Sequence, residues 1–333
     1  MRLLDTWTGM FVEKDPRDPT IKYAILSHTW NNEGEQTHEE VKRIQKRYAI
    51  HVIRSRYRQC SGGAQEEPSS IPLRTPVSSR ESSQRSPDSL STALAVAELS
   101  VFWDDQMLSP KIREACKVAR ERGFLYIWID SCCIDKSSSS ELSEAINSMF
   151  YWYSRAEVCY AFLADVPAEE DPVPKDSHFR RSRWFTRGWT LQELIAPVQV
   201  VFFSKDWTII GSKSTLADVV TDVTNIDRHA LLHVKGLEAF SIAQRFSWAA
   251  RRQTTRLEDR AYSLLGLFDL YMPTLYGEGN RAFQRLQEEI LRRIPDQSLF
   301  AWTSLPFDSR SLIAETSQWS LTMKPFVEWN SSP

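Results

Sequence analysis

Residues 124–130 read FLYIWID, with no charged side chain before the closing aspartate. A strand half-exposed to water would alternate polar and apolar residues, so a run this apolar must be covered on both faces. Three further runs are rich in strand formers: residues 23–26 (YAIL), 158–163 (VCYAFL) and 198–203 (VQVVFF). Helical spacing fills the gaps between the first three. Ile112, Ala115, Cys116 and Ala119 share one face of a helix that Ser109 should cap, Pro110 should open and Gly123 should end. Leu142, Ala145, Ile146, Met149 and Tyr153 repeat the pattern behind a serine-rich cap. Taking 23–26 as the first strand, the order strand, helix, strand, helix, strand implies a parallel sheet with helices on both faces, a flavodoxin-like layout.

From about residue 212 the pattern turns helical, through STLADVVTDVT, SIAQRFSWAARR, LEDRAYSLLGLFDL and GNRAFQRLQEEILRRI, the last stopped by Pro295. The chain therefore divides into an α/β core over 1–211, a helical subdomain over 212–295 and a tail or linker over 296–333. Residues 61–92 are rich in Ser, Pro, Arg and Glu and almost free of large apolar groups, too few to offset the entropy of ordering. A disordered insertion is expected over about 54–92.

The charge balance narrows the partners. With 41 basic and 43 acidic residues the net charge is -2, which offers no overall attraction to nucleic acid or anionic membrane. The five cysteines make no CxxC pair, so neither a disulfide framework nor a metal site is expected, and a reducing, cytoplasmic setting fits. Cys132 and Cys133 read as small buried apolar residues rather than nucleophiles. No run approaches the roughly 18 apolar residues of a membrane span.

Ligands of doubly wound sheets bind beyond the carboxyl ends of the strands. Ser27 and His28 stand at one such end, with Trp30 just beyond, and Asp130 and Ser131 at another. His28 either meets a ribose or phosphate or is a satisfied structural histidine; Trp30 either stacks on a base or packs. Asp130 is expected to face the cleft and Asp135 to act as a structural cap. YGEGNRAF, with two glycines before a helix, reads as a turn plus helix start, since its spacing matches no phosphate loop.

The stretch SRWFTRGWTLQELIAP, residues 182–197, keeps one carboxylate, Glu193, inside an apolar run. In a helix, Trp189 and Glu193 are one turn apart on one face, an indole beside a carboxylate. Three readings stand open: a catalytic carboxylate, a solvated residue of an amphipathic helix, or a partner for Arg183 or Arg187. The two arginines in turn could hold a pyrophosphate, pair with Glu193 or serve an assembly surface.

Together YAILSHTW (23–30), the stretch LYIWIDSCCIDKSSSSELSEAINSMFYWYSRAEVCYAFLADV (125–166) and SRWFTRGWTLQELIAP resemble the fungal heterokaryon-incompatibility (HET) domain family, and the later helical part resembles the region that follows this domain in many members. The resemblance implies non-self recognition and induced cell death, with larger proteins carrying nucleotide-binding oligomerisation domains, or further copies of the chain, as partners. Strand order and the Trp189-x-x-x-Glu193-Leu194 spacing are also similar to TIR domains that cleave NAD. That similarity implies a TIR-like core in which Glu193 is catalytic and Ser27, His28, Trp30, Asp130, Ser131, Arg183, Arg187 and Trp189 line the nucleotide site, with NAD as substrate and no bound cofactor. The insertion over 54–92 is longer and more polar than that family's.

Overall fold

The apolar runs assemble into one seven-stranded sheet of order β2-β1-β4-β3-β5-β6-β7 in a computed structural model that describes residues 1–31, 34–48, 102–296 and 298. Its strands are β1 (Arg2–Asp5), β2 (Phe11–Glu13), β3 (Tyr23–His28), β4 (Tyr126–Ile129), β5 (Val158–Phe162), β6 (Val200–Phe203) and β7 (Ile209–Ser212). The four expected strands form the parallel centre, with β3 paired to β4 and β5, and β5 to β6. In chain order these four lie 2-1-3-4, so successive connections leave β3 in opposite directions and open a crevice at its carboxyl end. All six residues of β3 are buried, as a strand covered on both faces requires.

Three strands depart from the sequence reading. Residues 23–26 are not the first strand, because β1 and β2 precede them; the β1–β2 pair on one side and β7 on the other extend the sheet as antiparallel margins. These strands are three or four residues long and carry charged or exposed positions such as Arg2, Glu13 and Ile209, so they lack the continuous apolar run of a central strand. β3 also runs two residues further than expected, making Ser27 and His28 its last rungs opposite Ala161 and Phe162. β6 begins at Val200 rather than Val198, whose side chain is exposed.

Helix α1 spans residues 38–48, α2 Pro110–Glu121 and α3 Ser139–Arg155. Pro110 opens α2 and Gly123, at φ 83°, follows it, while Ile112, Ala115, Cys116 and Ala119 are buried as one stripe. Ser109 does not cap the helix through its side chain; its N–H instead donates to Gln36 Oε1 at 2.9 Å. In α3 the Ser138 hydroxyl accepts from the Glu141 N–H, and Ala145, Ile146, Met149, Trp152 and Tyr153 face the sheet, with Leu142 half-buried. Trp128 of β4 meets Trp152 and Tyr153 edge-on, with ring centroids 5.6 and 5.9 Å away.

Beyond the sheet the helical pattern resolves into short pieces: α4 (Thr190–Ile195) before β6, then α5 (Ala217–Thr224), single turns at Arg228–Leu231, Ile242–Ser247 and Asp259–Tyr262, and α6 (Arg281–Arg293). LEDRAYSLLGLFDL breaks into two turns where Gly266 lies against α3; a Cβ there would sit 2.1 Å from Phe150 Cβ. One apolar cluster runs from β1 to α6. In YGEGNRAF, Gly277 and Gly279 adopt positive φ and donate their N–H groups to the chain's own Glu258, at 2.7 and 3.0 Å, as a turn before α6. Cys116, Cys132, Cys133 and Cys159 are free and buried. The insertion 54–92, Cys60 and nearly all of the tail 296–333 lie outside the described residues.

Candidate functional site

Successive residues of a strand face opposite sides of the sheet, so Ser27 and His28 anchor two clusters at the end of β3. On one side the Ser27 hydroxyl accepts from the Trp184 indole N–H at 2.8 Å and donates to Glu193 Oε2. The Tyr153 hydroxyl donates to the Leu26 carbonyl at 2.9 Å and lies within bonding reach of Glu193. Glu193 is only 8% exposed. Burial pushes its carboxyl up to about 8; Asp130 adds to that, and Ser27, Arg252 and Tyr153 act against it. Glu193 is therefore mostly protonated near neutral pH and can give or take a proton there.

Helix α4 holds Glu193 in place from both ends. Near its start the Thr190 hydroxyl donates to the Trp184 carbonyl at 2.5 Å and accepts from the Arg252 guanidinium at 2.8 Å. At its end the buried Lys213 ammonium donates to the carbonyls of Leu194, at 3.2 Å, and Pro197, while His233 Nε2 donates to Ile195 O at 2.6 Å. Cations at a helix C-terminus meet its unpaired carbonyls and the negative end of its dipole. Burial pushes Lys213 down to about 8.

On the other side His28 Nε2 donates to Asp130 Oδ1 at 2.9 Å, and His28 Nδ1 lies 3.1 Å from the Lys111 ammonium. An ammonium can only donate, so Nδ1 accepts and the ring proton sits on Nε2. Lys111 also pairs with the buried Glu35. Asp130 Oδ2 accepts from the Trp30 indole at 3.0 Å, and the Lys136 ammonium lies 3.7 Å from both that oxygen and the Trp30 ring centroid. Burial opposes ionisation of Asp130, but Lys136, His28 and Trp30 outweigh it and hold the carboxyl well below the usual range. Trp30 is 41% exposed and supplies the open aromatic surface of the cluster. Ser131 is buried in the turn Asp130–Cys133, and Asp135 closes a turn by accepting from the Ser137 N–H at 3.0 Å.

Three expected site residues stand elsewhere. Trp189 is the N-cap of α4 and half-buried, and its side chain bonds toward Asp259 rather than lining up beside Glu193. The indole in the Glu193 network is Trp184. Arg183 is largely exposed, 3.9 Å from Asp165, and the Arg187 guanidinium meets the Thr255 hydroxyl at 3.3 Å. The cation acting on Glu193 is instead Arg252, from the helical part. Tyr153 was visible in the sequence only as one of an apolar stripe, and nothing in the sequence marked Arg252. A hydrogen bond with Cys133, and after it burial, push the Cys132 thiol far up, which leaves it unreactive. Among the described residues no cluster of three or more His, Cys, Asp or Glu could hold a metal ion, and no helix is long and apolar enough to cross a membrane.

Residues 23–178 match the family model described as heterokaryon incompatibility protein (HET), and residues 281–330 match one described as a domain of unknown function. The chain carries a HET domain over the first of these stretches. It is also similar to the vegetative incompatibility protein HET-E-1 of Podospora anserina, with 48% identity over 185 residues, covering 54% of this chain and 14% of that protein. The match thus spans a small part of the relative's length. No solved structure matches the chain. Ser27, His28, Trp30, Asp130, Ser131 and Tyr153 fall inside the HET match, whereas Trp184, Glu193 and Arg252 lie beyond it.

Proposed function

We propose that this chain acts in heterokaryon incompatibility as a cytoplasmic cell-death effector, and that its TIR-like α/β core hydrolyses NAD when copies are gathered by an oligomerising partner. The HET domain and the similarity to a vegetative incompatibility protein support the first half. The second rests on one observation: a buried carboxyl, Glu193, held by Ser27 at the carboxyl end of β3, where a doubly wound sheet opens its crevice.

In this reading the bond between C1′ of the ribose and the nicotinamide nitrogen breaks, and its electron pair neutralises the pyridinium as nicotinamide leaves. Positive charge grows on the ribose, where Glu193, in the fraction of molecules in which it has first lost its proton, stabilises it as a carboxylate. Water adds to C1′ and gives up a proton to Glu193, leaving ADP-ribose. Trp30 stacks on the adenine, and Asp130, fully ionised beside His28 and Lys136, accepts from ribose hydroxyls. Because Glu193 is 8% exposed, substrate reaches it only after α4 and the segment before it shift, a change that assembly would drive.

A second reading has its own support. The Arg183 side chain is 61% exposed and offers a cation to an acidic partner without catalysis, while Trp184 and Phe185 beside it are buried and add no aromatic surface. Nicotinamide release by the protein clustered on a scaffold, beside Glu193→Gln, separates the two. Turnover that vanishes in the variant supports the enzyme. Equal NAD levels with both folded proteins, together with unaltered toxicity of the variant, support recruitment.

A further inference from the structure

We propose that Arg252 is the counter-cation of Glu193, so that the site at the end of β3 is completed by the helical part of the chain. The argument starts from the guanidinium. Arg252 is 2% exposed; its Nη1 donates to Thr190 Oγ1 at 2.8 Å and to the Arg187 carbonyl at 3.0 Å, and its Nε to the Trp248 carbonyl at 3.3 Å. Its Nη2 is buried with no hydrogen-bond partner. A buried cation with idle donors is costly unless a negative group lies close by.

Glu193 is that group. Thr190, which holds the guanidinium, and Glu193 are three residues apart in α4 and share one face of the helix. The attraction acts on both residues: Arg252 favours the ionised Glu193, and Glu193 favours the charged Arg252. The other titratable groups around Glu193 are Asp130 at the end of β4, which repels its charge, Tyr153 of α3 and Cys159 of β5. None of these three is a cation, and the Lys213 ammonium packed against the end of α4 is taken up by the carbonyls of Leu194 and Pro197. Loss of the Glu193 proton leaves a carboxylate whose charge Arg252 balances across Thr190.

The backbone fixes this approach. Gln253 N donates to Thr186 O at 2.6 Å and Gly188 N to Gln253 O at 2.7 Å, joining the two segments as a short bridge. A Cβ on Gly188 would lie 2.4 Å from Thr254 Cγ2, so a glycine is what lets them come this close. Arg252 is thus a positioning residue that acts through Glu193, and the assignment stands whether or not NAD is the substrate.

The test follows the Glu193 carboxyl carbon by NMR in the intact chain labelled with ¹³C-glutamate, assigned by its loss in Glu193→Gln. Arg252→Met should raise the titration midpoint by about one unit or more, a tenfold change in proton affinity, and Arg252→Lys should keep it near the native value. A native midpoint in Arg252→Met overturns the assignment. If that variant does not fold, Thr190→Val, which releases the guanidinium from α4, should raise the midpoint in the same direction, and an unchanged midpoint there overturns it equally. NAD turnover measured on the same samples reports separately on the catalytic reading, so loss of one leaves the other judged on its own result.

Discussion

Replacing Glu193 by Gln should make the protein more stable at alkaline pH, by an amount that grows with pH. The carboxyl titrates at 4.5 in the unfolded chain and is pushed up to about 8 in the fold, chiefly by burial. Below the lower value both states are protonated and the residue contributes no pH dependence. Between the two values the unfolded chain ionises while the folded one keeps its proton, so native stability falls as pH rises, and above the upper value the loss levels off. At about 1.4 kcal/mol per unit, the full span is roughly 5 kcal/mol, and about 4 kcal/mol of it falls between pH 5 and pH 9. Gln preserves the shape and carries no ionisation. Urea unfolding of both proteins at one-unit pH steps gives the difference directly, and the other titrating groups largely cancel. Parallel stability curves, or a native protein that gains on the variant as pH rises, would refute the account of Glu193 as a carboxyl kept neutral by burial.

Other outcomes follow from particular contacts. Asp130→Asn removes a negative charge that acts on Glu193 and should move its titration to lower pH, opposite to Arg252→Met, in the same ¹³C experiment. Asn147 ties α3 to the helical part by donating to Met272 O at 3.0 Å and accepting from Met272 N at 2.9 Å; Asn147→Leu should cost about 2 kcal/mol in urea unfolding, and a neutral result would mean that this joint is dispensable. Gly266→Ala should cost about 1–3 kcal/mol, read as a lower thermal midpoint, because α3 blocks the new methyl group. Trp128→Ala, which empties the space between β4 and α3, should cost about 3–5 kcal/mol.

The centre of the fold was legible because buried parallel strands must be largely apolar, which β4 and β5 are throughout and β3 is as far as Leu26. Its antiparallel margins were not, since β1, β2 and β7 are three or four residues long and are held largely by backbone pairing that any short sequence can supply. At the site, Ser27, His28 and Asp130 could be found from their position at strand ends. Trp184, Tyr153 and Arg252 could not, because an indole or a phenol on an apolar face looks like core until its polar atom is seen to meet a partner. The pairing of Glu193 with Arg252 joins positions 59 residues apart, beyond the reach of any local pattern. The helical spacing placed Trp189 beside Glu193; its backbone is indeed helical, but its indole is engaged by Asp259, a partner far along the chain that no local spacing reveals.

The register of the sheet sets how far this domain can be treated as a portable module. The HET match ends at residue 178, after β5 but before α4 and β6. A gene fusion that kept only that stretch would leave Val158–Phe162, five buried residues, with its β6-facing side unpaired. Open edges of that kind template pairing with other chains. Exchange of this domain between proteins should therefore succeed only at junctions well beyond the family boundary, with the helical part carried along as ballast that keeps the transplanted sheet soluble.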